Sequence, residues 1–171
     1  MAGRVTNVVL AGLGGQGVLK ASDILADAAV RAGLDVKKAE VHGMSQRGGS
    51  VTSDVRFGEK VLPPMVPRGE ADFLVVLAPS EVEVTRPLLA AGGVLIRPDL
   101  VREEDLANRR SLNVALLGAL SHHLDLAPEH FLAALRAAIP ERLHGVNEQA
   151  FAAGRAAAAA ARGQASTEVR S

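Results

Sequence analysis

Val8-Val9-Leu10-Ala11-Gly12-Leu13-Gly14-Gly15-Gln16-Gly17-Val18 decides the fold. An apolar run ends in four glycines within six residues, and a helical pattern starts at once. That order spells strand, tight turn and helix start. Gly12, Gly14 and Gly17 fit G-x-G-x-x-G, with Gly15 and Gln16 between. Glycine permits the sharp turn and lets a ligand or another backbone come close. The free N–H groups that open the next helix can hold an anion. The competing reading is that the glycines only pack the helix tightly onto a sheet.

Outward from this stretch, residues 5–11 read as a buried strand. Val18, Ala21, Ser22, Leu25, Ala28, Ala29 and Ala32 then recur at helical spacing, which predicts a helix over 15–32 closed by Gly33. Asp35–Val41 reads as a second, more polar strand. His42-Gly43-Met44-Ser45-Gln46-Arg47-Gly48-Gly49-Ser50 is a loop by composition. It leaves the same sheet edge as the glycine turn, so the two loops are expected to converge where open α/β sheets bind ligands.

Val51, Ser53, Val55 and Phe57 alternate with polar residues. Gly58-Glu59 can turn the chain and Lys60-Val61-Leu62 can return as the second arm of a hairpin. Three prolines between Pro63 and Pro67 make a connector. Ala71–Ala78 is a buried strand. Ser80-Glu81-Val82-Glu83 suggests a capping box for a helix over 80–91, ended by Gly92-Gly93. Val94-Leu95-Ile96 is a further core strand. Residues 100–110 are charged and carry no clear element. From Ser111 three helical stretches follow, separated near Pro128 and Pro140. The reading is one domain over 1–163 with a flexible tail at 164–171. The fold class is α/β: a Rossmann-like open, mostly parallel sheet flanked by helices, with a β-hairpin insertion and a helical C-terminal part.

Composition excludes several functions. Net formal charge is zero and only four Phe supply aromatic surface, so neither a basic stripe nor a stacking platform for nucleic acid is present. No apolar run reaches membrane length, and the N-terminus runs almost directly into the first strand, so a cytoplasmic protein without a leader is expected. The absence of cysteine removes disulfides, a thiol nucleophile and a cysteine-ligated iron–sulfur cluster from this chain.

Each candidate motif has a plain alternative. A dinucleotide enzyme needs an acid at the end of the second strand for the ribose, and Glu40 stands near that place. This supports a free-standing Rossmann NAD(P)- or FAD-binding oxidoreductase as one hypothesis. No Gly-Lys-Ser/Thr follows the glycines, so they are not a P-loop. Gly43-Met44-Ser45-Gln46-Arg47 misses G-x-S-x-G by its last residue, and a strand rather than a helix follows it, which argues against a serine hydrolase. Arg47 beside Gly48 and Gly49 is a cation on an open backbone, suited to phosphate or carboxylate, or else to pairing with Glu40. The five histidines show no ligand spacing, so no metal site is expected, and His42 stands out only for its loop. Asn113 and Asn147 sit on apolar helix faces, either as satisfied amides or as anchors for a neighbouring loop or subunit.

These residues together resemble a family. Ala11–Gly17, then Glu40-Val41-His42-Gly43-Met44-Ser45-Gln46-Arg47-Gly48-Gly49-Ser50, then Asp72 opening a strand, look like the gamma subunit or domain of 2-oxoacid (pyruvate/ketoacid):ferredoxin oxidoreductases. The second loop looks closest to the beta subunit of indolepyruvate ferredoxin oxidoreductase. Asn113 with Leu117-Gly118-Ala119-Leu120, and Asn147 through Phe151 to Gly154, also match. One departure is a short, charged stretch between Ile96 and Asn113, where the family would have another strand.

The resemblance implies a heteromeric enzyme that decarboxylates a 2-oxoacid on thiamine diphosphate. Electrons leave through iron–sulfur clusters to ferredoxin, and the acyl group passes to coenzyme A. This chain has neither cysteine nor a Gly-Asp-Gly segment to hold thiamine diphosphate through magnesium. The resemblance therefore places those cofactors on a partner subunit and leaves this chain inactive alone. Carried over by position, Gly12, Gly14, Gly15, Gln16, Gly17, His42, Gln46, Arg47, Gly48 and Gly49 are the candidates to face coenzyme A or the partner. No catalytic role is assigned to any of them. The sequence does not decide whether the isolated chain associates with itself, as a homo-oligomer, through a surface meant for that partner.

Overall fold

Five strands form one sheet in the order β2-β3-β1-β4-β5, built from Thr6–Leu13 (β1), Asp35–His42 (β2), Ser50–Gly58 (β3), Ala71–Val76 (β4) and Leu89–Ile96 (β5). The computed structural model describes residues 3–43 and 48–168. β1 pairs parallel with β4, and β4 with β5, whereas β3 runs antiparallel between β1 and β2. Four strands thus point one way, and β3 alone runs against them.

Strand parity divides the core. Val8, Leu10, Val55 and Val75 face α1 (Val18–Arg31) and the C-terminal helices; Val9, Ala11, Leu74 and Val76 face Val66 and Val82. The first face is covered by α1, α3 (Leu112–His123), α4 (Pro128–Ala138) and α5 (His144–Glu168). The second is covered by the proline connector and by α2 (Glu81–Thr85). β2 is one of the two edge strands and carries Lys37, Lys38 and Glu40, charges that discourage edge-to-edge pairing. Lys38 reaches Asp23 of α1 and Glu40. Burial works against its charge, but these two carboxylates hold its pKa above the ordinary lysine value.

The structure corrects several sequence expectations. The hairpin is β2–β3, not β3 with residues 60–62. Val61 instead gives its N–H to the Asp35 carboxylate at 2.8 Å, so Lys60–Leu62 form no ladder. The helix expected over 80–91 stops at Thr85, because Pro87 has no N–H to continue it and forms a 3-10 turn, Arg86–Leu88. Ser80 makes no side-chain cap and Glu83 pairs with Arg86, so the capping box does not form. Gly92-Gly93 lies inside β5, where Gly92 at φ 77° accompanies a register shift against β4. The charged stretch 97–111 is three short 3-10 turns with Val101 and Leu106 buried, and no strand. α5 runs as helix to Glu168.

The connector is tied down by polar side chains. Asp54 Oδ2 accepts the Val66 N–H at 2.9 Å, Arg56 Nε donates to Asn7 Oδ1 at 2.9 Å, and Arg56 also reaches Pro63 O. Burial raises the Asp54 pKa above its ordinary value, with the Val66 N–H and Arg56 opposing.

Candidate binding edge

The C-terminal tips of β1, β2 and β4 and the start of β3 share one edge of the sheet. There the two glycine-rich loops meet: Gly14 donates its N–H to Gly49 O at 2.9 Å, and Gly43 donates to Ser50 O at 2.7 Å. A Cβ at Gly14 would stand 3.4 Å from Gly48 N. The expected convergence is therefore present in the backbone itself. Gln46 and Arg47, with Met44 and Ser45, lie outside the described residues.

The glycine turn uses its glycines differently. Gly15 and Gly17 take positive φ, 88° and 83°, where L side chains are strained. Gly12 serves packing, because a Cβ there would lie 2.9 Å from Val18 Cγ2 and 3.1 Å from Leu77 Cβ. Gln16 closes the turn by accepting the Leu13 N–H on Oε1 at 2.7 Å. Turn geometry and packing are thus served by different glycines. Gly17 precedes α1 with no side-chain cap, and the first turn has no acid, so neither kind of group occupies the opening amides.

Two clefts flank this turn. One, about 520 Å³, is lined by Gly15, Gln16, Gly17, Leu77, Arg110 and Asn113 among others. The other, about 390 Å³, lies between Leu13–Lys20 and the strand ends at His42 and Val51. His42 is exposed, with Nε2 3.9 Å from Glu40 Oε2. Arg109 pairs with Glu103 at 3.0 Å, while Arg110 is exposed at the cleft.

Glu40 does not occupy a ribose-binding position. The antiparallel β3 stands between β2 and β1, which sets the tip of β2 about 10 Å from the glycine turn's strand. Glu40 is instead committed to Lys38 at 3.1 Å. The dinucleotide reading therefore loses its acidic partner.

Sequence reasoning missed two residues of the edge and half-saw a third. Arg109 and Arg110 were hidden in a charged stretch with no periodicity. Asn113 drew attention as an amide on an apolar face; its Nδ2 donates to Gly17 O at 3.2 Å, so it anchors the glycine turn. Asn147 is a satisfied amide, bonded to Leu143 O one turn earlier. Three of the other histidines make contacts within the fold. His144 Nε2 lies 2.7 Å from Ile139 O, and His122 and His123 stack edge to face near Phe73. Among the described residues no three His, Asp or Glu side chains gather to hold a metal.

The chain belongs to the pyruvate ferredoxin/flavodoxin oxidoreductase family, whose description matches residues 7–101. It is of the gamma type, the IorB-like subunit of 2-oxoacid:ferredoxin oxidoreductases. It is 36% identical over 190 aligned positions to the indolepyruvate oxidoreductase subunit IorB of Thermococcus kodakarensis, covering 86% of this chain and 93% of that one. It is 33% identical to the common gamma subunit of the pyruvate/ketoisovalerate oxidoreductases of Thermococcus litoralis, over 67% of this chain and 65% of the relative. The keto/oxoacid ferredoxin oxidoreductase gamma subunit of Geobacter sulfurreducens shares the fold, with a TM-score of 0.77, 22% identity, and 92% and 98% of the two chains covered. A 2-oxoglutarate:ferredoxin oxidoreductase from Magnetococcus marinus, solved with 2-oxoglutarate, coenzyme A and succinyl-CoA, does so with a TM-score of 0.79 and 22% identity. That match covers 92% of this chain and 31% of the other.

Proposed function

We propose that this chain forms the coenzyme A- and partner-facing edge of a cytoplasmic 2-oxoacid:ferredoxin oxidoreductase whose redox cofactors sit on another subunit. The overall reaction is 2-oxoacid plus coenzyme A plus two oxidised ferredoxins giving acyl-CoA, carbon dioxide, two reduced ferredoxins and a proton. Thiamine diphosphate, magnesium and iron–sulfur clusters belong to the partner. This chain has no cysteine to ligate a cluster. Coenzyme A is a co-substrate rich in phosphate. The uncapped amides of α1 and Arg110 supply donors and positive charge for it at one edge, and the sequence of the second loop adds Arg47. The observation that carries the reading is the Gly14–Gly49 hydrogen bond, which joins the two loops into one surface.

The test is reconstitution. Purified alone, the chain is expected to reduce no dye with pyruvate, ketoisovalerate or indolepyruvate. Co-expressed with a cysteine-bearing, thiamine diphosphate-binding subunit, it is expected to co-purify and give reduction that needs both a 2-oxoacid and coenzyme A. Failure to form a complex contradicts the reading, as does NAD(P)-linked turnover by the isolated chain.

A further inference from the structure

Glu81 is a carboxylate only 6% exposed, placed at the start of α2 just beyond the tip of β4. Burying a carboxylate costs free energy unless a partner offsets it. Among the described residues its hydrogen-bond donor is the Ser50 hydroxyl, 2.8 Å from Glu81 Oε2. Ser50 is the first residue of β3 and directly follows the loop that carries Arg47. β1 lies between β3 and β4, so this bond reaches over the end of β1. The base of the loop is thereby held from three sides. Gly43 N–H on the β2 side bonds Ser50 O, Gly14 N–H of the glycine turn bonds Gly49 O, and Ser50 Oγ bonds Glu81. The first two are backbone bonds that any sequence can make. The third depends on two particular side chains.

We propose that Ser50 and Glu81 are positioning residues: their hydrogen bond sets the base of the 43–49 loop on the sheet edge and so tunes how that edge meets coenzyme A. The inference rests on the proposed coenzyme A-facing role of the edge. Glu81 acts through Ser50 and does not itself touch the substrate.

The test uses the reconstituted complex with Ser50→Ala, Ser50→Thr, Glu81→Ala, Glu81→Gln, the Ser50→Ala/Glu81→Ala double variant, and Arg47→Ala as reference. KM for coenzyme A, KM for the 2-oxoacid, kcat and Tm are measured for each. Losing one such hydrogen bond at the loop base is expected to raise the coenzyme A KM roughly fivefold in Ser50→Ala and Glu81→Ala, with the 2-oxoacid KM unchanged. The double variant is expected to be no worse than either single one. Ser50→Thr keeps the hydroxyl and Glu81→Gln keeps an acceptor oxygen, so both are expected to stay near wild type. If Arg47→Ala raises the coenzyme A KM while Ser50→Ala leaves it unchanged, the positioning role is overturned and the edge reading stands. An unchanged coenzyme A KM in Arg47→Ala and in all the others overturns both. A drop in Tm with every KM unchanged makes the pair merely structural and also overturns the proposal.

Discussion

Gly15 and Gly17 look alike in the sequence and differ in what they tolerate. Both have positive φ, but a Cβ at Gly15 would meet nothing within 4 Å, whereas one at Gly17 would lie 2.4 Å from Asn113 Nδ2. Gly15→Ala is expected to cost only backbone strain, about 1–2 kcal/mol. Gly17→Ala adds displacement of a buried, hydrogen-bonded amide and is expected to cost about 1–3 kcal/mol more. Urea unfolding of the two variants compares them directly; equal losses would contradict the distinction. The glycines were legible because their spacing after an apolar run has few other uses. The partnership of Asn113 with Gly17 spans 96 positions and left only an amide out of pattern on a helix face. The Ser50–Glu81 bond left a weaker trace, because Glu81 reads equally well as an ordinary first-turn acid.

The crossing of α3 and α5 explains why small residues recur in both helices. A Cβ at Gly118 would stand 2.1 Å from Phe151 O, and one at Gly154 would stand 1.7 Å from Ala115 O. These contacts are with backbone, so a methyl group must push the helices apart. Gly154→Ala is expected to destabilise the fold by about 3 kcal/mol or more, read as a lowered Tm. The same region should respond to pH. Burial lowers the His123 pKa below the ordinary value of 6.5, with His122 and Arg162 acting the same way. The unfolded chain then binds the proton more readily than the folded one. Stability is therefore complete above pH 6.5 and falls as the pH drops from there through the lower folded pKa. His123→Gln is expected to flatten that part of the stability–pH curve; an unchanged slope would refute the assignment. At this scale apolar periodicity revealed most strands and helices but not their pairing. Alternation is the same for parallel and antiparallel strands, so β3's direction and its place between β2 and β1 were hidden. Gly92-Gly93 reads as a helix stop, and only the pairing of β5 with β4 shows it inside a strand.

Across the whole molecule, one edge of the sheet gathers both glycine-rich loops, two clefts and the uncapped start of α1. The opposite edge is fastened by Asn7, Asp54, Arg56 and Asp72 to the connector and neighbouring strands. No helix among the described residues is long and apolar enough to cross a membrane. Exposed Val41, Leu62, Met65 and Val84 leave apolar side chains on strand, connector and helix. Fold class, the convergence of the loops and the lack of cluster ligands were all legible from the sequence, because each follows from residue type and local order. The layout of 97–111 was not, since its buried Val101 and Leu106 are spaced by turns rather than by a helical or strand period. The central claim is that the joined loops meet coenzyme A while redox chemistry proceeds elsewhere. Its most direct test is coenzyme A saturation of the reconstituted complex carrying Arg47→Ala. The coenzyme A KM is expected to rise about tenfold or more, with the 2-oxoacid KM and the iron–sulfur spectrum unchanged. An unaltered coenzyme A KM, or loss of the iron–sulfur signal, would contradict the account.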